Sequence, residues 1–247
     1  LGHPVVVVMP RTQSEEKKQA VRSLGARLIE VDAAPFSSPN HFVHYSGRLA
    51  SELDASEPNG ALWANQFDNV ANREAHYRTT APEIWEQTGG VIDAFVSAVG
   101  SGGTIAGVSA YLRERKPEVR IALADPAGAA MHSWFTRGEM KAEGSSITEG
   151  IGVARITGNL QGFRPDHAYR IEDAEFLPIL FDLVEHEGLS LGGSAGVNIA
   201  GAVRLARELG PGKTIVTCLC DGGARYAAKL FNPDFLRARG LPTPPWA

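Results

Sequence analysis

Val91-Ile92-Asp93-Ala94-Phe95-Val96-Ser97-Ala98-Val99, running into Gly100-Ser101-Gly102-Gly103-Thr104, is the stretch whose reading decides the fold. Its first part is a nearly continuous apolar run, the pattern of a strand buried on both faces. Beyond the glycines, Ile105, Val108 and Leu112 recur at helical spacing until Pro117 stops the helix. The glycines therefore stand where a buried parallel strand turns into a helix. Such a junction presents unpaired backbone N–H groups and the positive end of a helix dipole, with no side chains in the way. It suits a phosphate or a carboxylate. A turn that needs glycine for its backbone alone would look similar, but small residues at Gly100 to Gly103 followed by Thr104 favour the anion site.

The motif is not one of the common nucleotide loops. A dinucleotide fingerprint needs a glycine where Ile105 stands. A phosphate-binding loop of the NTPase kind needs Gly-Lys-Ser/Thr, which this turn lacks. Gly212-Lys213-Thr214 has that triplet, yet Arg207 replaces the leading glycine and the segment precedes a strand.

Upstream of the central strand, Val5 to Met9 reads as a buried strand and Arg27 to Val31 as a second. Thr12 with Glu15 makes a capping box for a helix running through Val21 and Leu24 to Gly25. His41 to Leu53 reads as a helix, and Gly60 to Asn65 as a short strand or extended segment. Polar residues from Gln66 to Arg73 carry the chain to a second unit, in which a helix around Ala81 to Glu86 leads into the central strand. Downstream come a strand at Arg120 to Ala124, a long Gly/Ser-rich region over 126–156, helices at Ala174 to Glu187 and Gly196 to Glu208, and a strand at Thr214 to Leu219. Strands alternating with helices predict an α/β protein of two three-layer α/β/α domains with largely parallel sheets. The domains are expected over 1–69 and 70–247, the second and larger one binding the cofactor. Ligands of such folds lie beyond the carboxyl ends of the strands, where Gln66, the 100–104 turn and Asp221 all fall.

Composition narrows the partners. The 247 residues are 43% hydrophobic and 21% charged, as in ordinary globular chains, and a net charge of −4 without a basic block argues against nucleic acid. No apolar segment reaches transmembrane length. Cys218 and Cys220 alternate on one expected strand, too close for an ordinary disulfide, which fits a reducing compartment such as the cytoplasm. His41 and His44 could face a common metal, but no third ligand stands at a suitable spacing, so no metal site is expected. The chain starts at Leu1 inside what reads as a helix-to-strand turn, Leu1-Gly2-His3-Pro4. A beginning cut from a longer chain is expected, so this sequence does not decide targeting.

Gly192-Gly193-Ser194-Ala195-Gly196 matches the nucleophile elbow of the hydrolases. Hydrolases of that fold place their histidine after the serine, whereas the last histidine here is His186. Ser194 is better read as an N-cap or a second anion contact.

Six segments occur in a telling order: Met9-Pro10-x-Thr12-x-Ser14, Asn65-Gln66-Phe67-Asp68-Asn69, Gly100 to Thr104, Glu149-Gly150-Ile151-Gly152, Gly192 to Gly196, and Asp221-Gly222-Gly223-Ala224-Arg225-Tyr226. Over essentially its whole length the chain resembles the cysteine synthase and cystathionine β-synthase family of fold type II pyridoxal phosphate enzymes, whose fold is like that of the tryptophan synthase β chain. The resemblance implies pyridoxal 5′-phosphate as cofactor and a homodimer. It implies that Gly100, Ser101, Gly102, Gly103 and Thr104 hold the cofactor phosphate, that Gln66 contacts the substrate carboxylate, and that Gly150, Ile151 and Gly152 line the pocket, Gly150 beside the cofactor as well. Asp221 and Gly222 fall at the pyridine nitrogen. Many family members carry a hydroxyl where this chain has Gly222, which leaves water or Asp221 as the partner of that nitrogen. Strand alternation turns Asp221 away and favours water, while a turn at Gly222-Gly223 would bring Asp221 back.

The family's leading block, with its Schiff-base lysine and a Ser/Thr-Gly-Asn substrate loop, has no counterpart here, and Lys17, Lys18, Lys116, Lys141, Lys213 and Lys229 match no such position. No catalytic residue is therefore assigned, and the chain alone is expected to be inactive. Two function classes follow. One is a transferase making cysteine and acetate from O-acetylserine and sulfide, with cysteine desulfhydrase or cystathionine β-synthase chemistry as variants that share the first half-reaction. The other is a non-catalytic remnant that acts as a binding module.

Overall fold

In the computed structural model, which describes residues 2–247, the apolar run forms β3 (Ala94–Ser97), and all four of its residues are buried. Just before it, the Asp93 carboxylate accepts the Thr214 N–H at 2.9 Å and faces Lys116. β3 pairs in parallel on both sides, in the order β5-β4-β3-β6, with β4 (Arg120–Pro126), β5 (His167–Ile171) and β6 (Ile215–Thr217). Alternate residues feed two cores. Phe95, Ile121 and Leu123 pack with Ile105, Val108 and Leu112 of α5 (Gly103–Arg115). Ala94, Val96, Ala122 and Ala124 pack with α7 (Asp173–Glu187) and α8 (Gly193–Leu209). The second face is lined by small side chains, so the α8 backbone rides directly on the sheet. A Cβ on Gly201 would stand 2.7 Å from that of Ala124.

The chain divides into two compact units, Leu1–Asn65 and Gln66–Ala247. The first holds β1 (Val6–Pro10), α1 (Glu15–Ser23), β2 (Arg27–Val31) and α2 (Phe42–Ser56), with β1 and β2 parallel in a two-stranded sheet. Leu1, the first residue of the expected opening turn, lies outside the described residues. Ser14 rather than Thr12 occupies the N-cap of α1, so the anticipated capping box does not form. Residues 60–65 are irregular and carry no strand.

The second unit adds α3 (Ala71–Arg78), α4 (Thr80–Gln87), α6 (Met131–Arg137) and α9 (Pro233–Arg237). The polar crossing at 66–73 is thus partly helical, and the Gly/Ser-rich region contains α6. α6 follows β4 at once, and the buried Asp125 carboxylate at the end of β4 accepts the His132 N–H at 2.8 Å. Leu189 to Leu191 contributes only an isolated bridge, Leu191 to Gly222. Where β3 and β6 part, Asn198 of α8 takes the place of ladder bonds: its side-chain oxygen accepts the Ala98 N–H at 2.6 Å and its NH2 donates to the Cys218 carbonyl at 2.8 Å. Asn198 is fully buried.

Candidate functional site

Two helix N-termini, those of α5 and α8, stand beyond the carboxyl ends of β3 and β6. At the first, Gly102 is the N-cap of α5 with φ +88°, and a Cβ there would lie 2.5 Å from Leu160 Cγ. Glycine is required on both counts. Gly103 turns its Cα onto the Asn72 side-chain oxygen, and Gly100 leaves only 2.5 Å between its missing Cβ and the Gly150 carbonyl. The inner side of the turn is thus filled. The N–H groups of Thr104 and Ile105 have no acceptor among the described residues, while the Ala106 N–H returns to the Gly102 carbonyl. Free amides at a helix start, beside the hydroxyls of Ser101 and Thr104, fit a phosphate group.

Helix α3 braces those hydroxyls. Asn72 Nδ2 donates to Ser101 Oγ at 2.8 Å and to the Gln66 carbonyl at 2.7 Å. His76 Nε2 meets Thr104 Oγ1 at 3.1 Å, and its Nδ1 meets Thr80 Oγ1 at 2.9 Å. Burial holds the His76 imidazole below its ordinary pKa, which favours the neutral ring. Thr157, fully buried, donates its hydroxyl to the Ser101 carbonyl at 2.7 Å. Gln66 is tied by its backbone, since Asn72 and Asn159 both donate to its carbonyl, and the residue itself is exposed. Next to it Asp68 forms a two-pronged pair with Arg155, at 2.9 and 2.8 Å, and accepts the Gly158 N–H. The guanidinium holds the Asp68 carboxyl below the usual carboxylate range.

The loop Glu149 to Gly152 comes to the same place. The Gly152 N–H donates to the Val99 carbonyl at 2.8 Å, just before the glycine turn. Gly150 and Gly152 both have positive φ, +83° and +82°. A Cβ on Gly193 would lie 3.1 Å from Thr148 Cγ2, so the N-terminus of α8 abuts this loop. Glu149 forms an ion pair with Lys229. Gly192, not Ser194, is the N-cap of α8. Ser194 lies within the first turn at 7% exposure, which corrects its reading as the cap.

Asp221 and Gly222 face different surroundings. One Asp221 oxygen accepts the Tyr226 hydroxyl at 2.7 Å, and the other, buried and without a hydrogen-bond partner among the described residues, is turned onto Gly192. Burial first, and the Asp221 bond second, push the Tyr226 phenol up. Gly222 has φ −82°, and only the Ser190 carbonyl, at 3.9 Å, would touch a side chain there.

The structure thus brings Gln66, Gly100 to Thr104, Gly150, Ile151 and Gly152 around the end of β3, with Asp221 and Gly222 at the end of β6. Five lysines sit in ion pairs: Lys18 with Glu15 and Glu30, Lys116 and Lys213 with Asp93, Lys141 with Glu143, and Lys229 with Glu149. His41 caps α2 through its ring and His44 Nε2 meets the Phe36 carbonyl. Cys218 and Cys220 are free thiols, and burial pushes that of Cys218 up to about 11. Sequence reasoning missed Asn72, His76, Thr157 and Asn198. The spacing of four between Asn72 and His76, on one face of a helix, was the available signal.

Comparison with known proteins bears on this geometry. A family model described as pyridoxal-phosphate dependent enzyme matches residues 1–221. Cysteine synthase 1 of Neurospora crassa is 45% identical over 97% of this chain and 64% of its own length. Cysteine synthase 2 of Schizosaccharomyces pombe is 42% identical over 98% of this chain and 65% of its own. The chain therefore spans just under two thirds of these curated relatives. Among solved structures, an O-acetylserine-dependent cystathionine β-synthase from Helicobacter pylori superposes with a TM-score of 0.79 at 32% identity, over 91% of this chain and 69% of that one.

Proposed function

Since the chain belongs to the family of pyridoxal-phosphate dependent enzymes, we propose that the protein carrying it is a cysteine synthase, converting O-acetylserine and sulfide to cysteine and acetate. The observation that carries this reading is the 100–104 turn, where free amides meet two braced hydroxyls at the carboxyl end of the central strand.

In this reading the N–H groups of Thr104 and Ile105, with the hydroxyls of Ser101 and Thr104, hold the cofactor phosphate. Gly100, Gly102 and Gly103 let the backbone close around it. The bound cofactor supplies an electron sink for the bonds at the substrate α-carbon. The Gln66 side chain meets the substrate carboxylate, and the loop Gly150-Ile151-Gly152 lines the pocket. Gly222 leaves room for a water at the pyridine nitrogen, and Asp221, engaged by Tyr226, keeps its carboxylate turned onto Gly192. A homodimer completes the proposal, as does a cytoplasmic location, the latter supported by the free thiols of Cys218 and Cys220. Among the described residues no helix is long and apolar enough to cross a membrane.

The likeness to an O-acetylserine-dependent cystathionine β-synthase favours a second reading, in which homocysteine replaces sulfide as the acceptor. Supplying the protein with O-acetylserine and either sulfide or homocysteine separates the two. Cysteine and acetate in equal amounts are expected with sulfide. Turnover confined to homocysteine, with cystathionine as product, would establish the second reading instead.

A further inference from the structure

The hydroxyls of Ser101 and Thr104 can serve an anion only as donors, so their hydrogens must point away from the protein. For Ser101 the structure already fixes this. The nitrogen end of the Asn72 amide is set by the Gln66 carbonyl, which can only accept, and that same NH2 donates to Ser101 Oγ. The Gly103 N–H also points at Ser101 Oγ, at 3.4 Å. With acceptor positions used from within, the Ser101 hydrogen is left to face outward.

Thr104 has a different partner with two possible directions. A neutral imidazole has one donor and one acceptor nitrogen, and both nitrogens of His76 meet threonine hydroxyls. If Nε2 were the acceptor, Thr104 would donate its hydrogen to His76 and present lone pairs to the phosphate. If Nε2 carries the hydrogen, Thr80 donates to Nδ1, His76 donates to Thr104, and the Thr104 hydrogen is free for the anion.

Resting on the reading of 100–104 as a phosphate site, we propose that Thr80, His76 and Thr104 form a directed hydrogen-bond relay. In it the Nε2–H tautomer of His76 aims the Thr104 hydroxyl at the phosphate. His76 is a positioning residue, and it never touches the cofactor. Burial, which favours the neutral ring, is consistent with the relay.

The probes are pyridoxine 5′-phosphate and pyridoxine, which share the ring, differ in the phosphate and lack an aldehyde that could react with lysines. In the 15N-labelled protein, the His76 ring nitrogens should show Nε2 as the protonated one, before and after pyridoxine 5′-phosphate is added. His76→Leu should weaken pyridoxine 5′-phosphate about tenfold, the loss of one hydrogen bond to a charged group. Pyridoxine binding should stay the same, and His76→Gln, which keeps a donor, should recover most of the loss. A hydrogen on Nδ1, unchanged phosphate affinity in His76→Leu, or an equal loss for both probes would overturn the relay. The tautomer is read on the unaltered protein, so a variant that does not fold leaves the question decidable. Backbone amide shifts at 101–105 report on the parent reading. If they respond to pyridoxine 5′-phosphate and not to pyridoxine while His76 fails its tests, the relay alone is wrong. If they do not respond, the phosphate site itself is wrong and the relay falls with it.

Discussion

Gly102 and Gly222 are both glycines of the candidate site, and they should answer substitution in opposite ways. Gly102 has φ +88° and Leu160 Cγ 2.5 Å from any Cβ, so Gly102→Ala should destabilise the protein by about 1–3 kcal/mol. Gly222 has φ −82° and one neighbour at 3.9 Å, so Gly222→Ser should change stability by no more than about 0.5 kcal/mol. Denaturant unfolding of the two variants checks both, and a costly Gly222→Ser would refute the open space described there. The sequence alone showed small residues at a strand-to-helix turn, which is why that turn was legible as a candidate anion site. It did not show which glycine is held by its backbone. An aspartate at Gly102 would therefore report on the fold before it reported on charge.

At the scale of elements, the site depends on how α3 meets α5. At Gly107 a Cβ would run into the Arg73 carbonyl and come within 2.9 Å of His76 Cβ and Tyr77 N. Gly107→Ala should push α3 off α5, costing about 1–3 kcal/mol in unfolding experiments, as overpacking does. Because α3 carries Asn72 and His76, pyridoxine 5′-phosphate affinity should fall with it. Loss of stability with full affinity would mean that α3 does not brace the turn. This contact also explains why α3 escaped the sequence reading. Ala71–Arg78 has no fully buried residue and no apolar stripe, because backbone approach at a glycine replaces side-chain packing. β5 was missed for a related reason: as an edge strand containing His167 and Arg170, it breaks the apolar run that exposed β3. The central strand, α5, α7 and α8 were readable because burial dictates their side chains directly.

For the whole molecule, stability should depend on pH through Asp125. Burial pushes this carboxyl up to about 6 from its ordinary 3.8, and one of its oxygens has no hydrogen-bond partner among the described residues. Between those values the folded chain keeps a proton that the unfolded chain has released, so stability falls as pH rises through the window and levels off above it. The full effect is about 3 kcal/mol. Asp125→Asn should remove it, leaving the variant more stable than the parent at neutral pH and no more stable at pH 4. Equal stability of the two at neutral pH would show that the carboxylate is better solvated than its burial implies. Nothing in the order of residues marks Asp125 out, since Asp-Pro at a strand end reads simply as a turn. Its burial arises only when β4 is flanked by two strands and capped by α6.

Asn198 has a consequence for exchange with deuterated solvent. Strand ends that part normally release their amides first, because nothing beyond the last rung shields them. Here the Ala98 N–H lies past the paired residues of β3, yet it is held at 2.6 Å by a side chain with no exposed surface. Its hydrogen should exchange as slowly as those inside the ladder, and Asn198→Ala should speed it selectively while amides on β4 keep their rates. The sheet would then be sealed at its working end by a helix that no strand pairing could predict.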